Sequence, residues 1–280
     1  MRKHSFVDKH PVLAPILIGF GMLLLINIIV SIPVAVLQFY TGKDTPFLSM
    51  LFTILAAVIV LLIYKKHFAL EYSGVIRKEG LKEGLLMCLP FIVYWFLTSI
   101  PAIIEGSFAV KPLTMTIISS SVMAGVTEEV AFRHGMITTM QRNRNQADKI
   151  ISTLLISSLV FGLIHLLNIV SGADILHTFY QVLSASCLGI IMGAIFISCG
   201  NLLPVMIVHA AHDIFAIATS PATTESGIVT GSIGPGQLLD LACCLALAAL
   251  GLFCYLAKNK RETIVSLWNK IWNKEAQDEE

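Results

Sequence analysis

The chain consists of long apolar stretches separated by short polar segments. A membrane-spanning helix needs about 20 mainly apolar residues, and the stretches approach or exceed that length. The pattern therefore predicts an all-α, polytopic membrane protein with about eight transmembrane helices, whose loops leave no room for a separate soluble domain. The predicted spans are residues 12–39, 47–64, 84–104, 112–140, 150–170, 178–198, 201–219 and 236–257.

Composition indicates the same class of protein. Hydrophobic residues make up 56% and charged residues 13% of the chain, against about 45–50% and about 25% in soluble domains. A water-soluble globule could not bury that much apolar surface, and a disordered chain needs the opposite composition. The net charge of +1 gives no basic excess that would indicate a nucleic-acid partner. The six cysteines show neither metal-site nor disulfide spacing.

The basic residues predict an orientation. If the N-terminus is cytoplasmic, sixteen of the 19 Lys and Arg residues fall in cytoplasmic segments. Only Lys43 and Lys111 fall in loops on the other side, and Arg133 lies within a span. Since cytoplasmic loops are enriched in Lys and Arg, we expect a multi-pass protein of a cell membrane, embedded in the lipid bilayer with both termini in the cytoplasm.

The predicted spans divide the chain into three regions. Spans one to three occupy residues 1–111, spans four to seven occupy residues 112–219, and the last span and the tail occupy residues 220–280. The tail is polar and carries Trp268 and Trp272 four positions apart. We expect a solvated tail, with a short helix at the membrane interface as the alternative.

The fourth span contains charged residues at membrane depth. An ionisable group there costs about 2.5–3.5 kcal/mol on insertion scales, so such residues are functional candidates. Glu129 and Arg133 are four positions apart and share a helix face, which predicts a supporting ion pair. Glu128 points about 100° away and has no such partner on its own helix. It is the candidate general base; a packing network of all three residues is the alternative.

Spans five and seven supply histidines. In span five, His165 follows Phe161 by four positions, and Asn168 lies where it could orient the imidazole. On its own, such a histidine is more often a satisfied core residue than a functional one. In span seven, His209 and Asp213 are four positions apart. That spacing suits two ligands of one metal or two groups on one substrate oxygen; a buried pair that braces the bundle is the alternative.

Together, these three spans supply groups that can activate a water molecule and stabilise an oxyanion, with or without a metal. The inventory indicates hydrolysis inside the membrane. The chain has no Gly-x-Ser-x-Gly and no His-Glu-x-x-His sequence. It therefore lacks the serine-hydrolase elbow and the ordinary zincin helix.

The order of these motifs resembles the CAAX protease and bacteriocin-processing family of intramembrane endopeptidases. The resemblance covers about residues 115–217 and includes Gly189 and Gly193, whose small size allows close helix contact. Two positions depart from the usual pattern. His134 stands where the family often has Gly, and Asp213 stands where prenyl-protease members usually carry Asn and bacterial relatives often carry Asp. The matching motif residues are Glu128, Glu129 and Arg133; Phe161 and His165; and His209 and Asp213.

The resemblance implies a role for each motif residue. Glu128 with His165 activates water, and His209 with Asp213 binds the developing oxyanion or a metal. A divalent metal such as zinc, with His165, His209 and Asp213 as ligands, is one form of the mechanism; a glutamate-activated water without a cofactor is the other. An anionic Asp213 is a poor oxyanion donor, which favours a role as metal ligand or as a group that orients His209.

His134 and His212, each next to a motif residue, are further candidates for the site. The predicted function is that of an intramembrane endopeptidase with a peptide or membrane-protein substrate. It would act as a CAAX-prenyl-protease-like enzyme or in bacteriocin processing and self-immunity. The compact chain and the Asp213 variant fit a bacterial plasma membrane.

Two other functions are compatible with the sequence. A non-catalytic membrane scaffold or immunity protein could use the same fold to bind a partner. A proton-coupled transporter also places Glu, His and Asp in its spans. A transporter is expected to show polar groups on many helices and an internal repeat, whereas the candidates here lie on three spans and no repeat is visible.

Overall fold

The regular secondary structure that the structure describes is entirely helical, as the sequence predicts. This computed structural model describes residues 5–68, 72–219 and 234–273. The predicted loop before the last span comprises residues 220–235, of which 220–233 lie outside the described residues, as do both ends of the chain.

The N-terminal half contains two long apolar helices and one that is broken at Cys88 and Leu89. Next comes a continuous helical run that changes type at Glu129 and again at Thr139. Its middle part is a π-helical segment, in which the backbone is wider than in an α-helix. The elements are α1 (Ser5–Lys9), α2 (Leu13–Thr41), α3 (Pro46–His67), α4 (Leu81–Met87), α5 (Pro90–Ile104), α6 (Met115–Glu128), the π-helical segment (Glu129–Thr138) and α7 (Thr139–Arg144).

The C-terminal half surrounds a long central helix, α9, most of whose side chains are buried. The helix before it ends in a 3₁₀ turn that begins at the predicted site residue His165. The elements are α8 (Ile150–Ile164), the 3₁₀ turn (His165–Ile169), α9 (Ile175–Cys199), α10 (Leu203–Thr219), α11 (Pro235–Leu250) with a π-helical end (Gly251–Tyr255), and α12 (Arg261–Ile271).

Six helices in the described part of the chain are long and apolar enough to cross a membrane. The other two predicted spans are also helical, but they differ from an ordinary span. The fourth changes helix type in its middle, and α10 has only 17 residues. The count of eight spans therefore stays a prediction. The six long apolar helices agree with the prediction of a multi-pass membrane protein. The six are Leu13–Thr41, Pro46–His67, Leu81–Ile104, Ile150–Ile169, Ile175–Cys199 and Pro235–Tyr255.

Glycines set the helix contacts that position the motifs. A Cβ atom added at Gly125 in α6 would lie 2.9 Å from the backbone nitrogen of Ala210 in α10. This contact is one turn before the paired glutamates and one residue after His209, so it brings the two motifs together. The predicted role of Gly189 and Gly193 is confirmed, because added Cβ atoms there would meet α8 at Ser158 and Leu154.

The basic segments meet at one end of the bundle. Arg142 forms an ion pair with Asp8 of α1. Asn145 donates a hydrogen bond to the Val265 carbonyl in α12, 2.8 Å away. Ser73, in the segment between α3 and α4, donates its backbone N–H to the carbonyl of Ile271 in α12. These segments carry most of the basic residues, as expected if they share one side of a membrane.

The expectation of a solvated C-terminal tail is wrong for residues 261–272. They form α12 and its C-cap, and both tryptophans are buried against the basic end of the bundle. The indole of Trp268 donates to the Ile197 carbonyl at 2.9 Å, and that of Trp272 donates to the Thr138 carbonyl at 3.2 Å. The spacing of four positions places both rings on one face of α12. This face packs on the rest of the protein.

Candidate active site

The site begins where α6 becomes π-helical. The change falls between Glu128 and Glu129, the two carboxylates of the first motif. All ten residues of the π-helical segment are buried, and it packs against α2 where Gly135 meets Gly19. A Cβ atom added at Gly135 would lie 3.0 Å from the Cα atom of Gly19. π-helical turns are rare and are often found at functional sites.

Glu129 and Arg133 form the predicted ion pair. The Glu129 Oε2 atom lies 3.1 Å from the Arg133 Nε atom, and both side chains are 0% exposed. The guanidinium also lies over the ring of Phe161, 4.8 Å from its centroid, within the range of a cation–π contact. Arg133 therefore connects the first motif to the second. Its Nη1 and Nη2 atoms have no hydrogen-bond partner among the described residues.

His209 is the point at which the first and third motifs meet. Its Nδ1 atom lies 2.9 Å from Glu129 Oε1. Since an ionised carboxylate can only accept, the imidazole donates this hydrogen bond. The sequence predicts only the pairing of Glu129 with Arg133, because nothing in the local spacing relates residues 80 positions apart, such as Glu129 and His209. Glu129 thus uses one oxygen for Arg133 and the other for His209.

The opposite nitrogen of His209 faces two further carboxylates. The Nε2 atom lies 3.7 Å from Glu128 Oε2 and 3.7 Å from Asp213 Oδ2. These distances exceed a hydrogen bond and fall within ion-pair range. The side chains of Glu128 and Asp213 are each 26% exposed, whereas Glu129 is fully buried. The two partly exposed carboxylates, Glu128 and Asp213, therefore lie on the Nε2 side of His209, and the buried Glu129 carboxylate lies on its Nδ1 side.

His165 lies on the other side of Phe161. The Phe161 ring meets the His165 ring edge to face with centroids 5.4 Å apart, and it meets the His209 ring with centroids 6.0 Å apart. His165 Nδ1 lies 3.1 Å from the Phe161 carbonyl oxygen. A carbonyl only accepts, so Nδ1 carries the proton and Nε2 presents a lone pair. Among the described residues, His165 makes no direct hydrogen bond or ion pair with the His209 cluster.

The other predicted participants have different neighbours. Asn168 does not orient His165; it donates to Gln181 of α9 at 2.9 Å. His134 is buried beside Tyr72, whose hydroxyl lies 3.1 Å from its Nδ1 atom. Burial raises the pKa of the Tyr72 hydroxyl, in the segment before α4, well above its ordinary value, so this group stays protonated and can donate to the imidazole. His134 is held in this contact with Tyr72.

His212 lies one residue before Asp213 and faces another direction. Its Nδ1 atom accepts a hydrogen bond from the indole of Trp95 in α5 at 3.4 Å. Its ring centroid lies 5.5 Å from that of Tyr94. His212 therefore belongs to the contact between α10 and α5 and lines a neighbouring cavity.

The predicted metal ligands are not assembled as a group. In residues 5–68, 72–219 and 234–273, no three His, Cys, Asp or Glu side chains are arranged so that they could hold a metal ion. The Nδ1 atoms of His165 and His209 are engaged by the Phe161 carbonyl and by Glu129, which leaves the Nε2 atom of each ring open. The zinc site therefore stays a prediction.

Asn201 explains why α10 begins where it does. Its side-chain nitrogen donates to the carbonyls of Arg77 and Glu79, at 2.5 Å and 3.0 Å, and its side-chain oxygen accepts from Leu203 N–H at 3.1 Å. The first bonds attach the turn to the segment before α4, and the last satisfies a free donor at the helix start. This buried amide fixes the height of His209 in the bundle.

The comparisons with known proteins fall on this same part of the chain. Residues 110–215 match the Rce1-like family. That family is described as type II CAAX prenyl endopeptidase, so the predicted resemblance to CAAX proteases is confirmed. The matched segment, somewhat over a third of the chain, includes α6, α8, α9 and all six predicted site residues. The match supports a membrane-embedded CAAX-type protease. No curated protein matches the chain.

Proposed function

We propose that this protein is an intramembrane endopeptidase that hydrolyses a peptide bond with a water molecule activated by Glu128 and His165. The observation that carries the proposal is the contrast between the two adjacent glutamates. Glu129 is buried, with both oxygens committed to Arg133 and His209. Glu128 is partly exposed at the accessible side of the same histidine. A general base needs access to water and substrate, and Glu128 has it.

In the proposed first step, a single water molecule donates two hydrogen bonds. One goes to the Glu128 carboxylate and the other to His165 Nε2. The bond from His165 Nδ1–H to the Phe161 carbonyl fixes that tautomer. With both water protons engaged, an oxygen lone pair is directed at the substrate carbonyl. Glu128 takes one proton as the carbon–oxygen bond forms, which gives a tetrahedral oxyanion.

In the second step, the oxyanion is stabilised at His209. Glu129 accepts from Nδ1–H and holds the ring, and in this step His209 carries a second proton on Nε2, the atom that faces Glu128 and Asp213. That N–H can donate to the oxyanion as charge develops. Glu128 then returns its proton to the leaving amine, the carbon–nitrogen bond breaks, and both products leave with the base restored. No step requires a metal.

The family match and the membrane setting support the choice of substrate. We propose a peptide segment presented at the membrane, with a CAAX-type prenylated peptide as the first candidate. The experiment uses the purified chain in lipid vesicles with a farnesylated CAAX peptide and its unmodified counterpart, and cleavage is followed by mass spectrometry. We expect cleavage by the wild type and a loss of about 100-fold or more in Glu128→Gln, the lower range for a removed general base.

The matched control is Glu262→Gln, which changes an exposed carboxylate on α12 away from the site. It should cleave like the wild type. Cleavage of neither peptide by the wild type, or full activity in Glu128→Gln, would contradict the proposal.

A further inference from the structure

A second polar site lies next to the motif cluster, at the end of the bundle opposite the basic segments. It is a cavity of about 500 Å³ between α5, α9, α10 and α11. A volume of that size is ordinary for a ligand pocket. None of the six predicted site residues lines it. His212, the neighbour of Asp213, does line it and connects the cavity to the motif cluster.

Asp240 is the charged group within this cavity. It is the only charged residue in α11, where a carboxylate at membrane depth is costly. The hydroxyl of Tyr94 donates to its Oδ1 atom and the hydroxyl of Tyr180 donates to its Oδ2 atom. These bonds hold the carboxylate in place but leave its charge uncompensated. Among the described residues, no Lys, Arg or His forms an ion pair with Asp240.

His177 gives a second, independent indication of a ligand. It lines the cavity and is only 3% exposed, yet neither ring nitrogen has a hydrogen-bond partner in the described part of the chain. Buried polar side chains are nearly always hydrogen-bonded, and each exception needs an explanation. A neutral imidazole offers one acceptor, so a ligand with N–H groups in the cavity would satisfy it.

The remaining lining defines the charge of the ligand. Glu105 adds a second carboxylate at the rim, and Phe215 joins the two tyrosines as an aromatic wall. No Lys or Arg lines the cavity in the described residues, and the sequence of residues 220–233 contains none. The backbone of Lys111 lies near the cavity, because its N–H donates to the Ala218 carbonyl. The Lys111 side chain is not part of the cavity lining.

We propose that this cavity binds a protonated amine or guanidinium group, and that the group is a Lys or Arg side chain of the peptide substrate. The inference rests on the proposed peptidase function. Asp240 supplies the counter-charge, His177 accepts a hydrogen bond, and the faces of Tyr94 and Tyr180 attract a cation. Because the Tyr94 ring also contacts His212, beside Asp213, the cation would bind close to the scissile bond and fix the substrate register.

The test uses the full chain in lipid nanodiscs and two cleavable peptides that differ at one position, Lys or norleucine. Norleucine has a similar chain length without the charge. For the wild type we expect a KM about tenfold lower for the lysine peptide with a similar kcat. In Asp240→Asn the KM of the lysine peptide should rise about tenfold, while the norleucine peptide is cleaved as before. Glu262→Gln, at the other end of the bundle, should keep the preference.

A binding measurement separates this inference from the proteolytic function. n-Butylammonium should raise the Tm of the wild type but not that of Asp240→Asn, whereas n-butanol should act equally on both. That result supports the cation site even if no peptide is cleaved. If Asp240→Asn does not fold, Glu105→Gln and His177→Leu replace it, and each should weaken the response. Equal KM values for the two peptides, or the same Tm shift with amine and alcohol, would overturn the proposal.

Discussion

Two polar clusters in the described part of the apolar bundle, one around His209 and one around Asp240, differ in how the charge of their carboxylates is balanced. In the first, Arg133 lies against Glu129, so a buried carboxylate has a buried cation of its own. In the second, two tyrosine hydroxyls hold Asp240 and no cation is supplied by the described residues. The first cluster can therefore support the fold, whereas the second depends on what enters the cavity.

The largest expected effect tests this difference through stability. Glu129→Gln leaves Arg133 as a buried charge without a partner, which should cost about 3–5 kcal/mol in the free energy of unfolding. Asp240→Asn strands no cation and loses at most one tyrosine hydrogen bond, so it should cost about 1 kcal/mol. Thermal unfolding of both variants in the same detergent compares them. A Tm of Glu129→Gln equal to that of Asp240→Asn would show that the first cluster is not structural.

The second prediction concerns the helix contact that assembles the His209 cluster. Gly125→Ala places a methyl group against the backbone of α10. Such overpacking costs about 1–3 kcal/mol and should shift His209 away from Glu129, so activity should fall together with Tm. Gly21→Ala is the matched control, because an added Cβ atom there meets nothing within 4 Å. If both variants behave alike, the close approach at Gly125 does not position the site.

The sequence predicts the first cluster in part because its members obey local spacing rules. Glu129 and Arg133 share a helix face, and so do His209 and Asp213, and both pairs are found. The bond between Glu129 and His209 depends on how α6 meets α10, which no local pattern encodes. The π-helical segment is likewise not predicted, since the spacing of apolar residues does not distinguish a π-helical turn from an α-helical one.

The sequence does not predict the second cluster, although it contains one signal of it. Asp240 interrupts an apolar stretch in the last span, as Glu128 does in the fourth. Its partners, Tyr94 and Tyr180, lie on two other helices, and tyrosine in an apolar span is an ordinary core residue. The packing of α12 is not predictable for a similar reason, because only tertiary contact distinguishes an apolar face that packs on protein from one that lies on lipid.

A smaller effect is expected from Asp213→Asn. The side chain is partly exposed and its carboxylate lies beyond hydrogen-bond distance of His209, so little stability depends on it. An asparagine amide can donate to an oxyanion, which compensates for the lost negative charge beside His209. We expect kcat/KM to change by about threefold or less, which is under about 1 kcal/mol in transition-state stabilisation. A loss of 100-fold or more would instead assign Asp213 an essential role, as a metal ligand or as the group that orients His209.

The smallest expected effect is that of chelation, and it tests whether the His209 cluster acts through its own charges. His209 is held at Nδ1 by Glu129, and His165 is held at Nδ1 by a backbone carbonyl. In the proposed mechanism these fixed tautomers and Glu128 supply every proton transfer. Activity should therefore be unchanged after dialysis against a strong chelator. If activity is lost and then restored by zinc, and elemental analysis finds one ion per active chain, the ion takes over the role given to His209. In that case Asp213→Asn should weaken metal retention, since an amide oxygen is a poorer zinc ligand than a carboxylate.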